Sequence, residues 1–126
     1  MNRQIVSTSE APKAIGPYSQ AVVSGNLLFS SGQIGLDPES GELAPDLEGQ
    51  VTRALENLSG VLRAAGAGSA DVVKTTVYLA SMDDFSRMNE IYARYFGESL
   101  PARSTVAVKT LPKNALFEID AIATVG

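Results

Sequence analysis

Val72-Val73-Lys74-Thr75-Thr76-Val77-Tyr78-Leu79 is an eight-residue run dominated by valine and threonine. Its β-branched side chains suit a pleated strand. The chain then changes period. Ser81 and Asp84 resemble a capping box, with Asp in place of the usual Glu or Gln. Phe85, Met88, Ile91, Tyr92 and Tyr95 follow at helical spacing, and Gly97 suits the helix end. Residues 72–97 therefore read as a strand leading into an amphipathic helix.

A second helix precedes it, with no internal repeat. Asp46 is placed to cap a helix over 46–65, in which Leu47, Val51, Leu55, Leu58 and Leu62 form one stripe before Gly66. Further upstream, the apolar runs 20–24 and 27–31 flank Gly25-Asn26, the pattern of a tight hairpin. Residues 34–46, with Asp37-Pro38, Gly41 and Pro45, read as a loop. A short strand near 3–7 opens the chain. Strands at about 103–109 and 116–124 close it, joined by a turn at Leu111-Pro112-Lys113-Asn114. The order is β-β-β-α-β-α-β-β, an α+β fold in one domain spanning 1–126, with two helices on one face of a six-stranded sheet.

Composition narrows the chemistry. At 126 residues the chain is long enough to bury a core without disulfides or metals. It has no cysteine and no histidine, so thiolate nucleophiles, zinc–thiolate sites and the commonest neutral-pH general base are excluded. Carboxylate-only cation sites stay open, but Asp37 and Asp83-Asp84 do not form a calcium-binding loop. A net charge of −4, with Lys and Arg scattered, opposes a general nucleic-acid binder. The first residues lack the apolar run of a signal peptide and no stretch is long enough to span a bilayer, so a soluble cytoplasmic protein is expected.

Two charges lie inside apolar strands: Arg103 in Pro101-Ala102-Arg103-Ser104-Thr105-Val106, and Glu118 in Phe117-Glu118-Ile119-Asp120-Ala121. Burying an unpaired charge is costly, so each needs a reason. Alternation puts Arg103, Thr105 and Ala107 on one face, opposite Ser104, Val106 and Val108. If the helices cover the Val106 and Ile119 sides, Arg103 and Glu118 both point to the uncovered face, together with Ser31, Thr76, Tyr78 and Thr105. That face is too apolar for water and too polar for a core, which suits an oligomer interface containing a polar pocket. An arginine and a carboxylate there could hold an anionic substrate and handle a water, or they could be a plain cross-strand ion pair.

The motifs add a family. The chain resembles the Rid/YjgF family, the reactive-intermediate imine/enamine deaminases, through nearly its whole length. The likeness runs through Ala14-Ile15-Gly16-Pro17-Tyr18-Ser19-Gln20-Ala21, Ser31-Gly32-Gln33-Ile34, residues 73–79, Asp84-Phe85, Asn89, Tyr92, Pro101-Ala102-Arg103-Ser104 and Leu111-Pro112-Lys113. The resemblance implies a chorismate-mutase-like fold with a mixed sheet, and a homotrimer with pockets between subunits. It also implies cofactor-free hydrolysis of 2-imino acids, released by pyridoxal-phosphate enzymes, to 2-keto acids and ammonia. By the same resemblance Arg103 grips the substrate carboxylate and Glu118 positions or activates water. Tyr18, Ser31, Gly32 and Asn89 line the pocket, as does Thr105, at a position where many members carry cysteine. Lys109 and Lys113 read as solvated residues or as part of the pocket mouth. Two other readings stand beside the enzyme: a non-catalytic trimer that binds small carboxylates, and a ribonuclease or translation inhibitor. The acidic charge and missing histidine oppose the last.

Overall fold

The computed structural model describes residues 3–126. Its elements follow the expected order: β1 Arg3–Val6, β2 Ala21–Ser24, β3 Leu27–Ser30, α1 Leu47–Ala64, β4 Val72–Leu79, α2 Phe85–Phe96, β5 Ala102–Ala107 and β6 Phe117–Thr124. One six-stranded sheet runs β1-β2-β3-β6-β4-β5. Only β4 and β5 pair in parallel, so the sheet is mixed. The parallel pair arises because α2 carries the chain back across the sheet between them. β6, last in sequence, sits between β3 and β4 and joins the two halves.

Local chemistry sets the element ends. Asp46 caps α1, its side chain accepting from the Gly49 amide at 2.8 Å. At the other end Gly66, at φ 78°, lets the Ala67 amide reach back to the Leu62 carbonyl. The hairpin turn has positive φ at Gly25, the first central position, as type II′ turns require. Before α2, the Ser81 hydroxyl accepts from the Asp83 amide, capping a 3₁₀ turn at Met82–Asp84 rather than completing the box with Asp84.

Both helices lie on one face. Val51, Ala54, Leu58, Val61 and Leu62 of α1, with Met88, Ile91 and Phe96 of α2, bury the sheet residues Leu28, Val77, Leu79, Phe117, Ile119 and Ala121. A smaller cluster of Ile34, Leu36, Leu111 and Ala115 packs the 34–46 loop against Tyr78 and Val108. Asn57, buried on α1, ties that loop down by donating to the carbonyls of Ile34 (3.2 Å) and Leu36 (2.9 Å). The other sheet face carries Phe29, Thr76, Tyr78, Val106, Glu118 and Asp120, with Phe29 43% and Val106 44% exposed. No helix among the described residues is long and apolar enough to cross a membrane.

One expectation is corrected. Arg103 and Thr105 do not share the open face with Glu118. They pair in register with Thr75 and Val77, both fully buried beneath the helices, whereas Val106 pairs with Tyr78 on the open face. The apolar side of β5 was expected to face the core. β5 is an edge strand, and its core-side position at Arg103 is covered by α2, whose rings accept a guanidinium. Glu118 pairs with Tyr78 on the open face as expected. The sheet therefore separates Arg103 from Glu118 within one chain.

Candidate active site

One cluster of candidate residues lines a cleft of about 660 Å³ on the open face, among them Lys13, Tyr18, Ser31, Gly32, Lys113 and Glu118. A bulge in the β3 side shapes it. The register Phe29↔Ile122 becomes Gln33↔Ile119, four residues against three. The extra residue interrupts the ladder. The Ser30 hydroxyl takes over one bond, accepting from the Ala121 amide at 2.9 Å. Ser31 is turned outward from the ladder, its amide and hydroxyl both donating to the 19–20 segment. Gly32 then lies directly against the Glu118 carboxylate: a Cβ there would fall 1.8 Å from Oε2. The bulge and the missing side chain together make room for that carboxyl.

Glu118 is partly buried, and burial first, with Asp120 second, holds its proton affinity above the usual carboxyl range. Asp120 is fixed by the Tyr78 hydroxyl, which donates to Oδ2 at 2.9 Å. Across the cleft, Lys113 adopts φ 56° and ψ 24°, and Asn114 also has positive φ. Two successive non-glycine residues in that region are uncommon. Tyr18 is 53% exposed on its loop, its hydroxyl accepting weakly from the Ile15 amide at 3.3 Å. The loop is anchored by Gln20, whose buried side chain bonds the backbone at Thr8, Ala11 and Pro12.

A second cluster lies at the β5 edge. Arg103 donates from Nη1 to Asn89 Oδ1 at 2.7 Å, and its guanidinium carbon stands 4.7 Å from the Tyr92 ring centroid. It makes no salt bridge among the described residues, which removes the plain ion-pair reading within one chain. Beside it, the Thr105 hydroxyl oxygen is buried with no hydrogen-bond partner. Lys109 does not line the cleft. The structure thus brings together Tyr18, Ser31, Gly32 and Glu118 in one place, and Asn89, Arg103 and Thr105 in another. Sequence reading missed Asp120, although its i, i+2 spacing from Glu118 was visible. It also missed the anchors Gln20 and Asn57; Asn57 lies three residues after Ala54 and four before Val61, on the buried face of α1, and that spacing was the one available signal.

The family model described as Endoribonuclease L-PSP matches residues 8–125. The chain belongs to that family. It is the Rid/YjgF family to which the motifs point. A RutC family protein of Pyrococcus horikoshii is 53% identical over 122 residues, covering 96% of this chain and 97% of that protein. A Mus musculus protein named 2-iminobutanoate/2-iminopropanoate deaminase is 51% identical over 125 residues, covering 98% of this chain and 93% of the other. The crystal structure of E. coli TdcF with bound serine superposes with a TM-score of 0.94 at 41% identity, covering 98% and 99% of the two chains. These relatives support the Rid fold over essentially the whole length of the chain.

Proposed function

We propose that this Rid protein is an enzyme that hydrolyses short 2-imino acids, the 2-iminobutanoate and 2-iminopropanoate class, to 2-keto acids and ammonia without a cofactor. Such imines form from the enamines that pyridoxal-phosphate dehydratases release. The observation that carries the reading is the half-buried Arg103 guanidinium, held by Asn89 and aromatic faces with no carboxylate among the described residues to neutralise it. A planar fork in that state suits a substrate carboxylate. The Mus musculus relative's name supplies the substrate class.

Because Arg103 and Glu118 lie on opposite faces of one sheet, the complete site draws Arg103 from one subunit and Glu118 from a neighbour. The exposed Phe29 and Val106 on the open face give that neighbour an apolar surface to cover. We assign a homotrimer, a closed ring with three such sites. The carboxylate bound to Arg103 fixes C2 of the imine near Glu118, which replaces a bimolecular encounter by an oriented one. Protonated Glu118 gives its proton to the imine nitrogen. The resulting carboxylate takes a proton from water as the oxygen–C2 bond forms. Glu118 then returns that proton to the amine of the carbinolamine. The C–N bond breaks, the hydroxyl proton passes back to Glu118, and ammonia and keto acid leave.

The test runs threonine dehydratase on threonine with semicarbazide, which traps the imine. Added protein should lower semicarbazone yield in proportion to its concentration, and Arg103→Ala should abolish the effect while the oligomer stays assembled. Undiminished yield with well-folded protein would sink the proposed activity and leave small-carboxylate binding as the alternative. The net charge of −4 and the absence of histidine oppose the ribonuclease reading.

A further inference from the structure

Arg103 is approached by one face of α2. Phe85, Asn89 and Tyr92 follow at spacings of four and three residues, which places them in a single stripe. Asn89 accepts from Nη1 at 2.7 Å; the guanidinium carbon lies 4.7 Å from the Tyr92 ring and 5.6 Å from the Phe85 ring. Both ring distances are within the range of cation–π attraction. Tyr92 is itself tied down, because its hydroxyl shares a 2.7 Å hydrogen bond with that of Thr75, a residue with no solvent exposure. Thr75 is in turn the β4 register partner of Arg103. The contacts close a circuit: Arg103 on β5, Tyr92 on α2, Thr75 on β4, and back to β5 through the ladder.

We propose that Phe85 and Tyr92 are positioning residues for Arg103, a two-ring platform locked by Thr75 that fixes the plane of the guanidinium for a carboxylate ligand. The proposal rests on the reading of Arg103 as the carboxylate grip. A lone arginine at an edge strand samples many rotamers, and each lost rotamer weakens binding. Two ring faces remove the tilt, and the Asn89 bond removes rotation in the plane. The remaining N–H groups make no side-chain hydrogen bond among the described residues, so a fork edge is left for the ligand. The bland alternative is that the aromatic stripe is merely core. Tyr92 is buried, but Phe85 is only half-buried, so a purely space-filling role does not require an aromatic there.

The experiment uses the intact protein and 2-oxobutanoate, the keto acid product, as the probe. Dissociation constants from calorimetry are set beside KM and kcat from the imine trap for wild type, Tyr92→Phe, Tyr92→Leu, Phe85→Leu and Arg103→Ala. Loss of a cation–π face should weaken keto-acid binding and raise KM by about 5- to 30-fold in Tyr92→Leu, with kcat changed less. Tyr92→Phe keeps the face and loses only the lock, so it should recover most of the affinity. Phe85→Leu carries the test if Tyr92→Leu does not fold. Wild-type affinity and KM in a well-folded leucine variant, alongside loss of binding in Arg103→Ala, would overturn the platform and leave the grip standing. Undiminished binding in Arg103→Ala would overturn both.

Discussion

Gly32→Ala isolates the approach of Glu118 to the β3 bulge. The added Cβ would stand 1.8 Å from Oε2 and 2.8 Å from Cδ of Glu118. Gly32 is not among the glycines with positive φ, so the backbone itself accepts alanine. The clash must therefore be relieved by the carboxyl, which has to retreat by roughly 1.5 Å to reach ordinary contact. Turning a side chain off its rotamer costs about 1 kcal/mol, and a carboxyl partly exposed to solvent has room to turn. Stability should fall by no more than about 1–2 kcal/mol, a modest lowering of Tm. Activity should fall far more, because a 1 Å misplacement of a reacting group costs on the order of 100-fold. Semicarbazide trapping gives kcat/KM, and thermal unfolding gives the stability. A variant with wild-type kcat/KM would refute the assignment of Glu118 as the proton carrier in this position.

Further substitutions probe Asp120, Glu118 and Asn57. In Asp120→Asn the charge that helps hold a proton on Glu118 is gone, so Glu118 should titrate at lower pH, and the basic limb of the kcat/KM profile should move down; an unmoved limb would contradict the coupling. A carboxyl whose folded proton affinity is raised opposes folding when ionised, a cost present above its folded pKa and absent below its unfolded value near 4.3, so Glu118→Gln should raise Tm at neutral pH relative to wild type and lose that advantage in acid; an advantage that persists in acid would contradict the linkage. Asn57→Ala removes both donations to the Ile34 and Leu36 carbonyls in a site 1% exposed, and should cost about 2–3 kcal/mol in denaturant titration; a cost near zero would mean the loop is held otherwise.

The element order was legible because each segment announced itself locally. The β-branched run of β4, the leucine stripe of α1 behind Asp46, and the Gly25-Asn26 turn leave few alternatives. The facing of β5 was not legible. Alternation divides Arg103 and Thr105 from Ser104 and Val106, but it does not say which set meets the helices. The usual tie-breaker, apolar side inward, fails at an edge strand covered by an aromatic stripe that can hold a cation. Glu118 was placed rightly because β6 is central and its flanking Phe117 and Ile119 fill the core. The bulge at 30–32 was hidden too, since a one-residue register change depends on where β3 meets β6, far apart in sequence. The motif resemblance named residues in both clusters, and the sheet places Arg103 and Glu118 on its opposite faces.

Arg103 and Glu118, on the proposed reading, act together across a subunit boundary. Arg103→Ala and Glu118→Gln, each inactive alone, should be mixed in equal amounts, dissociated and reassembled, and assayed by imine trapping. A closed ring in which each site takes Arg103 from one subunit and Glu118 from the next predicts recovery to about a quarter of wild-type activity under random assembly. No activity in mixed oligomers, once their mixing is verified by mass, would contradict it.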